Sequence, residues 1–220
     1  MGCRKLILIA GCFGSAWLVA QAGSAPKQLM KTFRDARLGI EYRYPAYLED
    51  PHTAAGTLNS ARSNTADPEA KQRMSCLTMP LDARHRTATD HDIIEILVVD
   101  FACMGKVVDV DSMETVVLGN FASSLKAYGG APQVGTPHRY KLNGYPADFL
   151  SATVAAPTFN KDATLYDSSS CVLIGQTVVC WSFMSTDKGK LKAFLRNPVS
   201  FAGHEDVALV PAEFLSANPL

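Results

Sequence analysis

The alternation of apolar and polar positions changes period several times along the chain, and each change marks an element. Leu6 to Ala20 is an apolar run interrupted only by small residues, with Arg4 and Lys5 before it and Ala20-Gln21-Ala22 at its end. A basic start, an apolar stretch and a small-residue site make an export leader cleaved after Ala22, not a folded element. The same stretch holds Ile9-Ala10-Gly11-Cys12, a lipobox-like tetrapeptide in which Cys12 would be acylated. Only Leu6 to Gly11 would then form the apolar core, and the run continues past Cys12. Simple secretion is therefore the favoured reading, and a membrane-anchored lipoprotein the alternative. A retained span ranks last, because Gly11, Gly14 and Ser15 break the run short of the roughly 20 apolar residues a bilayer requires.

After a short polar lead over 23–32, Ile40, Tyr42 and Tyr44 alternate with Glu41 and Arg43, so 38–44 reads as a half-buried strand ended by Pro45. The stretch 52–69 is rich in Ala, Ser, Thr, Asn, Gly and Pro and predicts a long loop. Strands follow over 73–83 and 93–103, the second apolar on both faces and so central in a covered sheet. From Asp111 to Tyr128, Met113, Val117, Phe121 and Leu125 recur every four residues. With Asp111 as N-cap, Glu114 completing a capping box and Gly129 past the end, this stretch predicts a helix. Strands over 139–142 and 148–154 flank the Asn143-Gly144 turn, and 156–169 reads as a polar connection. The segment 171–183 reads as a hairpin about Gly175-Gln176. A last helix over 187–196 turns Leu191, Phe194 and Leu195 inward and stops before Pro198. Hairpins interleaved with helices predict a single α+β domain over 33–204, a central antiparallel β-sheet with helical cover. In the remaining tail over 205–220, Leu209, Val210, Phe214 and Leu215 predict docking onto that domain.

Composition narrows the class. With 47% apolar and 19% charged residues the chain has a globular balance, which excludes collagen, coiled coil and disorder. Basic and acidic residues number 21 each, so no bulk positive field draws in nucleic acid or anionic lipid. A chain of this length buries on the order of 70% of its unfolded surface, enough to fold without metal or dense cross-links. No cofactor is expected.

Four cysteines lie beyond the leader: Cys76, Cys103, Cys171 and Cys180. An even number in an exported chain reads as disulfides. The Gly175-Gln176 turn pairs residues whose numbers sum to 351, which sets Cys171 opposite Cys180 in a non-hydrogen-bonded pair, where Cα atoms come closest. Cys76 is left to Cys103, through a pairing that sums to 179 and also sets Arg84 opposite Glu95. No C-x-x-C spacing occurs and no His lies within five residues of any of the four, which argues against zinc or redox use.

Phe33-Arg-Asp-Ala-Arg-Leu-Gly-Ile-Glu-Tyr-Arg-Tyr-Pro45 resembles the opening of PsbP-like proteins, and Leu142-Asn-Gly-Tyr-Pro-Ala147 resembles their turn before a long strand. The resemblance spans about Phe33 to Phe201. It implies an α/β/α sandwich, with a central antiparallel sheet covered by helices on both faces. Members of that superfamily include extrinsic subunits of photosynthetic membranes, a binder of a small nuclear GTPase, and exported bacterial proteins without assigned activity. It supplies no catalytic motif to place on this chain, and the paired cysteines depart from the plant subunits.

Candidate chemistry is sparse. His85 with Asp90, His91 and Asp92 offers two imidazoles and two carboxylates to a divalent metal, against a plain reading as a solvated hairpin tip. Asp109 and Asp111 are further acids, the second already assigned as a cap. Ser168-Ser-Ser170 lacks a nucleophile-elbow context, and His138 and His204 stand alone. Trp181 on an apolar strand reads as core, while Tyr42, Tyr44 and Tyr47 offer an aromatic recognition surface. The leading functional class is an exported, non-catalytic accessory or binding module, with a protein or small-molecule partner in the cell envelope and no nucleic acid. The alternatives are a structural lipoprotein anchored through Cys12, which alone brings in the membrane, and a metal-dependent hydrolase using His85 and His91.

Overall fold

Two tight turns set most of the strand pairing. The computed structural model describes residues 29–49, 58, 63–87, 90–125, 131–157 and 162–217. The leader, Cys12, the cleavage site at Ala22 and the predicted helix end at Tyr128 and Gly129 lie outside the described residues. Asn143-Gly144 joins β6 (His138–Leu142) to β7 (Tyr145–Ala155), and Gly175-Gln176 joins β8 (Thr164–Ile174) to β9 (Thr177–Ser185). Gly175 has φ +62°, the left-handed value that the first position of a type II′ turn requires. The turn sets Ile174 opposite Thr177 and Cys171 opposite Cys180, the register expected from the sequence.

With β3 (Leu77–Arg86), β4 (His91–Asp100) and β5 (Gln133–Val134), these strands form a seven-stranded antiparallel sheet. Its order is β3-β4-β9-β8-β7-β5, with β6 also paired to β7. A second antiparallel sheet has the order β1-β2-β10-β11, from β1 (Met30–Asp35), β2 (Ile40–Pro45), β10 (Pro198–Phe201) and β11 (Val207–Ala208). The described helices are α1 (Pro68–Ser75), α2 (Val110–Leu125), α3 (Lys188–Leu195) and α4 (Ala212–Ala217).

This architecture corrects the expected α/β/α sandwich. The chain is mostly antiparallel sheet with few short helices, and the second layer on one face of the large sheet is the four-stranded sheet. Ile40, Tyr42 and Tyr44 of β2 and Val199 and Phe201 of β10 pack there against Ile94, Ile96, Trp181 and Phe183, with Leu191, Phe194 and Leu195 of α3 beside them. The small sheet escapes a sequence reading for a physical reason. β1 is an edge strand that turns only Phe33 to the core, and β10 and β11 are too short to show a period. The tail docks as expected, with Leu209, Val210 and Leu215 buried in this core and Phe214 packed against it.

Three local expectations also change. The start of the predicted strand at Arg73 is the end of α1, capped by Asp67 with Pro68 following it, so β3 begins at Leu77. A bulge between Thr78 and Leu81 shifts the β3–β4 register, placing Asp82 rather than Arg84 opposite Glu95. The Cys76–Cys103 disulfide nevertheless forms, joining the C-cap of α1 to the turn after β4, as does Cys171–Cys180. Finally, α2 starts one residue before Asp111. The Asp109 carboxylate accepts the Ser112 amide at 2.7 Å and so caps the helix, leaving Asp111 to pair with Arg139 at 2.8 Å.

Candidate functional site

Two polar clusters lie on opposite faces of the large sheet. On the face toward α3, β4 pairs Asp92 with Ser185 of β9 on one side and with His85 of β3 on the other. Asp92 is 0% exposed. Its Oδ1 accepts from Ser185 Oγ at 2.6 Å, and its Oδ2 accepts from Tyr47 OH at 3.1 Å and Lys190 Nζ at 3.0 Å. Lys190 stands in the first turn of α3, whose start is fixed by the Asp187 carboxylate accepting the Gly189 and Lys190 amides. Its ammonium also lies 3.4 Å from Asp90, and His85 packs edge-on against the Tyr47 ring at 5.4 Å.

Three of the residues proposed from sequence thus meet around a lysine that the sequence did not single out. Asp90 and Asp92, read as metal ligands, and Tyr47, read as recognition surface, converge on Lys190, and His85, the third of the expected ligands, reaches the cluster through its packing on Tyr47. His91 does not join them, since a one-residue step along β4 turns it to the opposite face, beside Arg84 and Arg86. Burial, and then those two guanidinium charges, hold its imidazole below the usual histidine range. Among the described residues no group of three or more His, Cys, Asp or Glu is arranged to hold a metal ion. The ammonium of Lys190 fills the position on Asp92 that a cation would take.

The chemistry of this cluster is that of a staple. Burial lowers the Lys190 pKa, but the hydrogen bond and charge of Asp92 and the charge of Asp90 outweigh it and leave it raised. Burial and then the charge of Asp92 raise the Tyr47 phenol far above the usual tyrosine range. A protonated lysine, a neutral phenol and a carboxylate accepting three hydrogen bonds supply neither a nucleophile nor a general base.

Tyr42 and Tyr44 belong to the core, so they line no recognition surface; Ile40, Tyr42 and Tyr44 share the one inward face of β2. Trp181 is fully buried, as expected. His138 stacks on Phe214 at 4.7 Å, and His204 packs edge-on to Tyr145. Ser168, Ser169 and Ser170 lie within β8, not in a connection, and all three are buried. Ser170 shares a 2.7 Å hydrogen bond with Tyr140.

The second cluster lies on the α2 face and was not anticipated. Strand registers align Asp82, Glu95, Ser182, Ser169 and Leu150 in one row across β3, β4, β9, β8 and β7, with Arg84 and Asp167 in the adjacent row. This belt lies between two separate apolar clusters, one around Met113 and the Cys171–Cys180 disulfide, the other around Phe121, Leu125 and Leu165. Arg84 bonds Glu95 at 2.8 Å and also Asp82. Asp82 is 0% exposed and its Oδ2 has no hydrogen-bond partner among the described residues. Asp167 is 3% exposed, and its carboxyl accepts from the adjoining Ser168 backbone. Burial, and then the charge of Glu95, push the Asp167 carboxyl well above the carboxylate range, and burial and Asp82 raise Glu95. A signal was present: Leu165, Asp167, Ser169, Cys171 and Leu173 alternate at period two. Two polar members in that series made the stretch read as a connection.

By sequence the chain matches no family model and no curated protein. Among solved structures it is similar to the cyanobacterial PsbP (CyanoP) of Synechocystis. That match has 12% identity and a TM-score of 0.46, over 80% of this chain and 90% of that one. It is also similar to LpqN, involved in cell envelope biogenesis of Mycobacterium tuberculosis, with 13% identity and a TM-score of 0.33, over 54% of this chain and 72% of that one. The first is a protein of the family that the Phe33–Pro45 motif resembles.

Proposed function

We propose that this protein is an exported, non-catalytic accessory or binding module acting in the cell envelope. The observation that carries the reading is the pair of disulfides, Cys76–Cys103 and Cys171–Cys180, which take up all four cysteines beyond the leader. Disulfides persist in oxidising compartments, and the leader ending at Ala22 would deliver the chain to one. No described helix is long and apolar enough to cross a membrane. Binding is favoured over catalysis because the sequence-proposed residues that converge, Asp90, Asp92 and Tyr47, form an ion-pair staple with Lys190.

A mass measurement on protein recovered from its host's envelope tests this. We expect a chain starting at Gly23, with no alkylation before reduction and four alkylated sites after it. Free thiols, or a chain that keeps Met1, would refute export. The Ile9-Ala10-Gly11-Cys12 tetrapeptide supports a second reading, a structural lipoprotein. A diacylglycerol mass on a chain starting at Cys12 would establish it, and release from membranes on Cys12→Ser would follow.

A further inference from the structure

We propose that the Cys76–Cys103 disulfide is a redox clasp: a dithiol reductant opens it while Cys171–Cys180 stays closed, and opening releases α1 from the domain. The inference goes beyond the reading as a binding module and starts from how the two bonds are placed. Cys103 is exposed in the turn after β4, and Cys76 is 6% exposed at the end of α1. Both cysteines line a cleft of about 250 Å³ with Asp35, Arg37, Ser75 and Asp100, so a thiol can reach the bond. Cys171, by contrast, is 0% exposed. Its bridge to Cys180 joins two neighbouring strands inside the sheet, packed among Val99, Met113 and Leu173. Thiol–disulfide exchange requires direct approach of a thiolate to sulfur, so the accessible bond reacts first.

The helix depends on that bond. α1 is eight residues long and buries none of them, and helices this short do not persist in water on their own. Asp67 caps its start by accepting the Glu69 amide at 3.0 Å, and Cys76 fastens its far end. Between α1 and the turn, Glu69, Gln72 and Arg73 share a gap of about 120 Å³ with Met104 and Lys106, so side-chain packing there contributes little. The turn itself is held independently. The Phe101 amide donates to the Gln176 carbonyl at 3.0 Å, and the Gln176 side chain accepts the Val108 amide at 2.9 Å. Breaking the bond therefore frees α1 and leaves the 101–108 turn in place. In the exchange a thiolate of the dithiol attacks Sγ of Cys103, the S–S bond breaks, and the Cys76 sulfur leaves as a thiolate that takes a proton. The second thiol of the reductant loses its proton and attacks the reductant's own sulfur in the mixed disulfide. It expels the Cys103 thiolate, which is protonated, and the reductant closes as a disulfide after a two-electron transfer.

Timed reduction of the mature, oxidised protein with dithiothreitol, quenched with iodoacetamide and mapped by mass, tests the order of opening. We expect Cys76 and Cys103 to become alkylated about tenfold faster or more than Cys171 and Cys180. In the half-reduced protein the amides of 68–75 should exchange hydrogen about tenfold faster or more, with β8 and β9 unchanged. Trp181, fully buried in the core, should keep the emission of a buried indole. The double variant Cys76→Ser, Cys103→Ser, with Cys171–Cys180 intact, should show the same exchange pattern without reductant. Equal rates for the two bonds, or earlier opening of Cys171–Cys180, would overturn the clasp, as would unchanged exchange over 68–75. Exposure of Trp181 on opening would overturn it as well, because the whole fold and not α1 would then hang on the bond. Each of these failures leaves the module reading standing, whereas free thiols in protein as recovered from the envelope remove that reading itself.

Discussion

Removing the ammonium from the Asp92 staple should cost more than removing the carboxylate. Asp92 is fully buried, while Lys190 keeps 33% of its side chain exposed. In Lys190→Met the stem still packs, but the buried carboxylate keeps only the two neutral donors, Tyr47 and Ser185. Stranding one member of a buried pair costs about 3–5 kcal/mol, and partial exposure of Lys190 discounts this to about 2–3 kcal/mol. In Asp92→Ala the lysine returns to water, and the main loss is the Ser185 hydroxyl proton left without an acceptor. Together with the net value of the other bonds that amounts to about 2 kcal/mol. In the double variant Lys190→Met should then add almost nothing, a coupling of about 2–3 kcal/mol. Urea unfolding at neutral pH with disulfides intact measures all three. Lys190→Met alone should lower Tm by about 5–10 °C. Because the folded-state pKa of Lys190 is raised, its contribution is complete below the ordinary lysine pKa and fades only as pH climbs through the folded value. Simple additivity, or a cost for Lys190→Met below about 1 kcal/mol, would refute the staple.

Removing Cys171 and Cys180 together should cost about 2.7 kcal/mol, and removing Cys76 and Cys103 about 3.6 kcal/mol, since the loops they close span 9 and 27 residues of separation. A larger loss from the short loop in urea unfolding would contradict the chain-entropy reading. Gly39→Ala should destabilise by about 2 kcal/mol or more, because φ is +65° and the new Cβ would lie 2.5 Å from Ala202 Cβ. Adding Ala202→Gly should restore only the steric share, and a Tm unchanged by Gly39→Ala would refute the close approach. Stability should fall as pH rises from about 4 toward neutrality, because the unfolded Asp167 ionises where the folded one resists. Asp167→Asn should flatten that slope, and equal slopes in urea midpoints would refute it.

Local chemistry was legible at the Gly175-Gln176 turn and in α3, and less so at α2, where Asp109 rather than Asp111 is the cap. The Gly175-Gln176 turn fixes a register by its geometry, so the Cys171–Cys180 bridge followed from counting. In α3, Asp187 ahead of Leu191, Phe194 and Leu195 names its own cap and buried face. What the tertiary structure decided was which surfaces meet. β1 is all but polar, and β10 spans four residues; neither has a period, and only docking onto Trp181 and Phe183 makes them a layer. The same holds for the polar sites. Asp92 and Lys190 lie 98 residues apart and are joined only when β4 pairs with β9. Asp167 looked like loop because a buried carboxylate contradicts the apolar pattern by which strands are recognised. Sequence periodicity reports where a side chain points along its own element, and the partner on the facing element is set by the packing of the whole chain.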